Sequence, residues 1–150
     1  MIRTVIAVLL AIAIVGVSVP ALERGAATNS ENVVERQVEK ISTASVSLAE
    51  NEQVPPENVS GPQRTISVRF PDDSLRSDPV STFRIERQPE GYSIIRYRIE
   101  DQSMQQETVD APIVNAKYDN TTRLSGAGKR DLRLELRKHN ETAVVVLSRA

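Results

Sequence analysis

The stretch TNSENVVERQVEKISTASVSLAE, residues 28–50, carries the pattern around which the rest of the chain is organised. Small or apolar residues recur in it at spacings of four, three, four and three: Val34, Val38, Ile41, Ser45 and Leu48. This periodicity places them on one face of an α-helix and leaves the charged residues on the other. Thr28 and Glu31 match a capping box, which predicts that a helix begins there. We expect an amphipathic helix within residues 23–50, packed either on its own domain's sheet or on a helix of another subunit.

An apolar run precedes this helix. Residues 4–22, TVIAVLLAIAIVGVSVPAL, contain no charge and are long enough for a spanning helix. Pro20 is expected to shorten the continuous helix, and Val19-Pro20-Ala21 resembles a signal cleavage site. We therefore expect residues 1–22 to be a retained membrane anchor, with a cleaved signal segment and secretion as the alternative. In both cases the positive start Met1-Ile2-Arg3 stays cytoplasmic, so everything after Ala21 lies outside the cell membrane.

Three Asn-x-Ser/Thr triplets agree with an extracellular position. They begin at Asn58, Asn120 and Asn140, and none has Pro in the middle. Such triplets are glycosylation acceptors on loops of exported proteins. These three asparagines are therefore candidate glycosylation sites.

Residues 51–64 are rich in Pro and lack periodicity, which indicates a linker. From residue 65 the apolar residues alternate, as in Ile66-Ser67-Val68 and in Leu132-Arg133-Leu134. The pattern predicts an α+β domain over residues 65–150, with an antiparallel sheet of five or six strands packed on the helix in two layers. We further expect a β-bulge at the adjacent Ile94-Ile95, a single weak edge strand over residues 109–113, and a turn at residues 139–141.

The polar positions of these strands carry an excess of arginine. We expect six of them to project from one outer sheet face and to form a candidate partner surface: Arg69, Arg84, Arg96, Arg98, Arg133 and Arg137. Glutamates lie between them, so a self-neutralised, solvated face is the alternative. Residues 21–63 hold seven acids and three bases, whereas residues 64–150 hold 13 acids and 15 bases. An acidic partner, such as the Glu-rich segment of a neighbouring copy, would suit the Arg-bearing face.

Composition argues against most catalytic and cofactor-dependent functions. The absence of Cys excludes disulfides and thiolate metal sites, and a single histidine, His139, excludes a multi-histidine metal site. A net charge of -1 argues against general nucleic-acid binding. Residues 125–130 contain a Gly-x-Gly-Lys echo of a phosphate loop, but Thr122 and Arg130 stand where that motif needs Gly and Ser or Thr. We expect no catalysis, no cofactor, no metal, no nucleic acid and no small-molecule substrate.

The order of an Arg-bearing start, an apolar helix, an amphipathic continuation and a sheet resembles type IV pilins and pseudopilins. The start MIRTVIAVLLAIAIVGVSVPALE is similar to that of a small group of uncharacterised haloarchaeal membrane proteins with β-rich tails. The resemblance implies a membrane protein encoded near archaeal pilus or secretion components, and the excess of Arg over Lys agrees with it. Unlike pilins, the chain has no Gly or Ala processing site before the run and no Glu inside it. No site residues are carried over.

Two functions remain open at this point. The first is a membrane-anchored, extracytoplasmic structural or interaction protein, as an accessory component of a pilus or secretion apparatus. The second is a secreted or anchored binding domain that recognises an acidic ligand through its Arg-bearing face.

Overall fold

A computed structural model describes residues 2–150, with the side chains of residues 2, 3 and 17 left out. The positive start that the sequence predicts at residues 1–3 therefore lies outside the described side chains. One uninterrupted helix, α1, spans Ile2–Asn51 and includes Pro20. The expected helix start at Thr28 and the expected shortening at Pro20 are both wrong. Helix formers such as Ala21, Leu22 and Ala26 surround these positions, so local propensity carries the helix through.

The second half of α1 forms the centre of the domain. The stripe predicted from the spacing is buried, with Val34, Ile41 and Leu48 all at 0% exposure. It packs into the same core as the strands of its own domain. Of the two packing modes left open by the sequence, the intradomain one is therefore confirmed.

Eight strands follow the helix in two four-stranded sheets. Their bounds are β1 Gln63–Phe70, β2 Val80–Arg87, β3 Ser93–Ile99, β4 Gln105–Val109, β5 Ile113–Asn115, β6 Thr121–Arg123, β7 Gly128–His139 and β8 Thr142–Arg149. Sheet 1 has the order β1-β7-β8-β5, and sheet 2 has the order β4-β3-β2-β6. The α+β class is confirmed, but the single sheet of five or six strands becomes two sheets. All pairs are antiparallel except β5 with β8, which is parallel.

The segment expected to be one edge strand crosses between the sheets. Val109 ends β4 in sheet 2, and Ile113 begins β5 in sheet 1. Ser93 fixes the crossing: its buried hydroxyl donates to Ala111 O at 2.7 Å and accepts from Ile113 N at 2.8 Å. A buried polar group needs such partners, so one side chain stabilises the link between the two sheets.

Two smaller expectations about the strands have opposite outcomes. Ile94 and Ile95 lie in regular register on β3, and the irregularity lies instead between Val80 and Thr82 on β2. The turn at His139–Glu141 is confirmed: Asn140 and Glu141 link β7 to β8 with φ of 50° and 65°. Two successive positive φ values are typical of a type I′ hairpin, whose twist matches that of the strands.

The strands have defined directions relative to α1. On β1, Arg64 lies 3.6 Å from Glu52, whereas the Arg69 N–H donates to Gln37 Oε1 at 3.1 Å. β1 therefore runs back along the helix towards the apolar run. β3 also ends near that run, because the residues that follow it share a cleft with helix residues 23–31. The antiparallel pairing then makes β4 run away from the apolar run and β6 run towards it.

Ile41→Asp should unfold or strongly destabilise the domain. The substitution removes buried volume and places a carboxylate where the side chain is 0% exposed, so we expect the free energy of unfolding to fall by about 4 kcal/mol. The matched control is Thr43→Asp, two residues along on the exposed side of α1, with an expected change below ~0.5 kcal/mol. Thermal melts of both full-length variants in detergent measure this. Equal melting temperatures would show that the stripe is not the centre of the core.

Candidate interaction surfaces

The apolar half of α1 projects from the domain without any protein cover. Side chains along it are more than half exposed, for example Val5 at 58%, Leu10 at 58% and Leu22 at 64%. In the described residues it is the one helix long and apolar enough to cross a membrane, and none of its most apolar stretch is buried. At 1.5 Å per residue, residues 4–22 span ~30 Å, the thickness of a bilayer's hydrocarbon core. We call this segment the apolar arm.

The domain begins almost directly after the arm. Ala26 is only 5% exposed and Ser30 is fully buried, with its hydroxyl accepting the Asp78 N–H at 2.7 Å. Next to the junction lies a cleft of about 640 Å³ between α1, the residue Asp78 that precedes β2, and the residues that follow β3. Its charged lining is mainly acidic: Glu23, Arg24, Glu31, Asp78, Glu100 and Asp101. The surface of the domain nearest the arm is therefore negatively charged on this side.

The six arginines expected on one face are divided between the two sheets. Arg84, Arg96 and Arg98 lie on sheet 2, whereas Arg69, Arg133 and Arg137 lie on sheet 1. The prediction of a single six-arginine face is therefore wrong. Alternation identifies the outward-facing positions of each strand, but it contains no information about which sheet the strand joins.

Sheet 2 nevertheless brings arginines together. Arg84 pairs with Arg96 on one side and with Arg123 on the other, and Arg96 pairs with Gln106. One row across β6, β2 and β3 is thus three arginines wide. We call Arg84, Arg96, Arg98 and Arg123, with Glu86 among them, the Arg face. Sequence reasoning missed Arg123 because β6 has only three residues, too few to show an alternation.

Glu86 neutralises part of the Arg face. Its Oε2 accepts a hydrogen bond from Arg96 Nη1, and its Oε1 lies 3.3 Å from Arg84 Nε. The Arg84 contact lacks hydrogen-bond alignment, so Arg84 Nε is buried without a hydrogen-bond partner. Arg98 and Arg123 are exposed. The positive charge available to a partner therefore lies mostly on these two.

Arg137 on sheet 1 has a structural role. Its Nε lies 3.0 Å from Glu135 Oε1, and hydrogen bonding to Glu135, then to Tyr118, raises the pKa of the guanidinium. Tyr118 stacks on His139 with ring centroids 4.1 Å apart. It also covers a small outer cluster made of Val114, Val144 and Val146. Arg137 is thus occupied within its own domain, while Arg69 and Arg133 are exposed on the outer side of sheet 1.

All three candidate glycosylation sites are exposed and lie outside the strands. Asn58 and Asn140 have positive φ in turns, and Asn120 directly precedes β6. An acceptor asparagine must be accessible, so their positions suit the modification. Glycosylation itself stays a prediction.

An acidic groove of about 500 Å³ separates α1 from the edge strand β4. It is lined by Glu35, Arg36, Val38, Glu39, Ser42, Tyr97, Gln105, Gln106 and Glu107. Burial raises the pKa of the Tyr97 hydroxyl, and Glu35, Glu31 and Glu107 raise it further. The lining itself carries three carboxylates, those of Glu35, Glu39 and Glu107, and one base, Arg36.

A second cleft, of about 320 Å³, lies where β6 diverges from sheet 1, and we call it the seam cleft. Leu124, Leu132 and Leu147 line it together with Thr122. Thr122 is 6% exposed, and its Oγ1 is buried without a hydrogen-bond partner. The charged lining is Lys117, Asp119, Arg123 and Arg149, so the cleft is mainly cationic. Asp119 accepts a hydrogen bond from Asn115 Nδ2 at 2.9 Å.

Residues 125–130, which partly match a phosphate loop, form the connection that leads into β7. Arg130 donates to Ser125 O at 2.7 Å and also to Gly126 O, so the loop closes on its own arginine. Among residues 2–150, no group of three or more His, Cys, Asp or Glu side chains is placed to hold a metal ion.

The fold and surfaces describe an α+β domain carried on an apolar helical arm. The chain belongs to the family described as domain of unknown function DUF7311, whose pattern matches residues 1–150. Comparison with curated proteins and with solved structures finds no match.

Glu86→Gln should destabilise the domain more than Glu107→Gln. Glu86 is mostly buried and bonded to Arg96, so loss of its charge leaves two partly buried guanidinium groups without their counterion. We expect the free energy of unfolding to fall by about 1.5–3 kcal/mol. Glu107 is exposed on β4, and its neutralisation should change that energy by less than ~0.5 kcal/mol. Thermal melts compare the variants, and equal effects would show that Glu86 is as solvated as Glu107.

Proposed function

We propose that this protein is a membrane-anchored, extracytoplasmic interaction protein without catalytic activity, which serves as an accessory component of a surface filament or secretion apparatus. The observation that carries the proposal is the apolar arm, exposed along its length and continuous with the helix at the centre of the domain. Full burial of a Val, Leu or Ile side chain contributes about 1.5–3 kcal/mol. Because the arm carries many such exposed side chains, its insertion into the hydrocarbon core of a bilayer is strongly favourable.

The charges beside the arm support the orientation. Arg3 precedes the run, and the positive-inside rule keeps such a start cytoplasmic. The exposed asparagines of the three Asn-x-Ser/Thr triplets agree with a domain outside the cell. Since the domain begins at Ala26, it is held directly above the membrane surface.

The finer assignment to a haloarchaeal pilus or secretion system draws on the resemblance of the chain's start and on the order of helix before sheet. The excess of Arg over Lys also supports it. The fold suits an interaction role, because the described surface offers grooves and charged strands. A filament accessory needs such surfaces rather than a reaction centre.

Leu10→Arg should remove the protein from the membrane fraction. A cation at the centre of a spanning helix costs about 2.5–3.5 kcal/mol on insertion scales. The matched control is Leu22→Arg, at the end of the run, where a long side chain reaches the interface and recovery should stay unchanged. Fractionation with external protease treatment measures both. Equal recovery of the two variants, or a mature chain that begins at Leu22, would contradict the retained anchor.

The Arg face supports a second function, recognition of an acidic ligand, because the row Arg123-Arg84-Arg96 places three guanidinium groups side by side. The double variant Arg98→Ala/Arg123→Ala should weaken binding of a poly-glutamate peptide on the order of tenfold. The control is Arg69→Ala/Arg133→Ala on sheet 1, which removes the same charge and should leave binding nearly unchanged. Titration in low-salt buffer measures this. Equal losses would indicate general attraction to net charge rather than a site.

A further inference from the structure

The two ends of sheet 2 differ in chemistry and lie in matching positions. β4 is one edge and β6 is the other. Arg123 on β6 shares a row with Gln106 on β4, and Thr121 shares the next row with Thr108. The two edges therefore lie at corresponding positions along the strands.

The charges of the two ends are complementary. The β4 end opens on the acidic groove, where Glu35, Glu39 and Glu107 outnumber the single base Arg36. The β6 end opens on the seam cleft, where Lys117, Arg123 and Arg149 outnumber Asp119, which is bonded to Asn115. An acidic edge at one end and a cationic edge at the other is the arrangement that a head-to-tail contact requires.

The seam cleft also contains an unsatisfied polar group. Thr122 Oγ1 is buried there and has no hydrogen-bond partner, a situation that costs about 1–3 kcal/mol. Leucine side chains beside it form an apolar floor. A partner with amide and carboxylate groups would bond to the cations at the mouth of the cleft and cover the floor. The β4 segment, Gln105-Gln106-Glu107-Thr108, carries these groups and is exposed.

We infer that copies of this chain associate head to tail, with the β4 edge and acidic groove of one copy docked on the β6 edge and seam cleft of the next. The inference rests on the proposed function, because anchoring in one membrane is what aligns the copies. β4 runs away from the arm and β6 runs towards it. Neighbours standing side by side in one bilayer thus bring the acidic groove and the seam cleft together at the same height, with β4 and β6 antiparallel.

The other free edges fit less well. The edge of β1 is covered by α1, since the Arg69 N–H donates to Gln37 and Lys40 Nζ donates to Ser67 O at 3.4 Å. A symmetric β4–β4 contact between copies in one membrane would pair the strands parallel. It would also bring two acidic grooves together, so like charges oppose it. Because the contact joins unlike surfaces, it leaves one edge of each kind free and extends to a row.

Cysteine cross-linking of the full-length protein tests the contact. The chain contains no cysteine, so Thr108→Cys and Thr121→Cys each introduce a single thiol. Both variants are reconstituted together in phosphatidylcholine–phosphatidylglycerol vesicles and treated with a short bis-maleimide. We expect a mixed dimer with one copy of each variant, and a ladder of oligomers from the double variant. Glu90→Cys, in the exposed turn between β2 and β3, replaces Thr121→Cys in the control and should give background yield.

Charge reversal provides the second measurement. Glu107→Lys on the Thr108→Cys chain, or Lys117→Glu on the Thr121→Cys chain, should lower the mixed-dimer yield on the order of tenfold. The two reversals together, one on each chain, should restore most of it. Restoration shows that both variants remain folded and that the two side chains act on each other across the contact.

The outcomes separate this inference from the proposed function, because flotation of the vesicles with external protease digestion is measured on the same samples. Mixed dimers with rescue support head-to-tail association. Homodimers of either single variant, background yields, or poly-glutamate binding to the seam cleft without any mixed dimer overturn it. Failure of the protein to float overturns the membrane anchor, whereas background cross-linking with normal flotation overturns only the association.

Discussion

Burial of the α1 stripe between two sheets is the interaction on which the other features depend. The two sheets meet near β5 and β6, where Asn115 Nδ2 donates to Thr121 O at 3.3 Å. On the opposite side, α1 contacts both sheets: β1, β7 and β8 of sheet 1, and β3 and β4 of sheet 2. The helix thus closes the side that the sheets leave open. Val34, Ile41 and Leu48 supply the apolar surface that neither sheet could bury alone. The acidic groove and the cleft next to the apolar arm both lie where α1, rather than a further strand, packs beside sheet 2.

The core is small and its few aromatic residues are concentrated where sheets and helix meet. Phe70 of sheet 1 lies 4.8 Å from Phe83 of sheet 2, and Phe83 lies 6.3 Å from Tyr97, measured between ring centroids. The Phe70–Phe83 contact joins the two sheets on the inside and the Phe83–Tyr97 contact extends it within sheet 2, while the Ser93 hydroxyl joins the sheets by its bonds to the backbone at the crossing. Polar bridges and a short aromatic chain thus complement the aliphatic packing that composition alone suggested.

The sequence was informative wherever a pattern is local and long. The spacing Val34–Leu48 predicted the buried face of α1, and the alternation around Leu134 predicted β7 correctly. It failed where partner choice matters: nothing in residues 109–113 shows that a serine sixteen residues earlier will direct the chain into the other sheet. β5 and β6 have three residues each, which is less than two periods of alternation. The same limit explains why the pattern predicts one surface for the six arginines and gives no sign of Arg123 on β6.

The continuity of α1 has a mechanical consequence. No loop separates the apolar arm from the part of α1 that packs in the core, so the two parts rotate together about one helix axis. Each residue of an α-helix contributes about 100° of rotation and 1.5 Å of rise. The number of residues between Leu22 and Ala26 therefore sets which side of the apolar arm lies in line with sheet 2. A lateral force on the domain would likewise be transmitted directly to the apolar arm, because no loop lies between them.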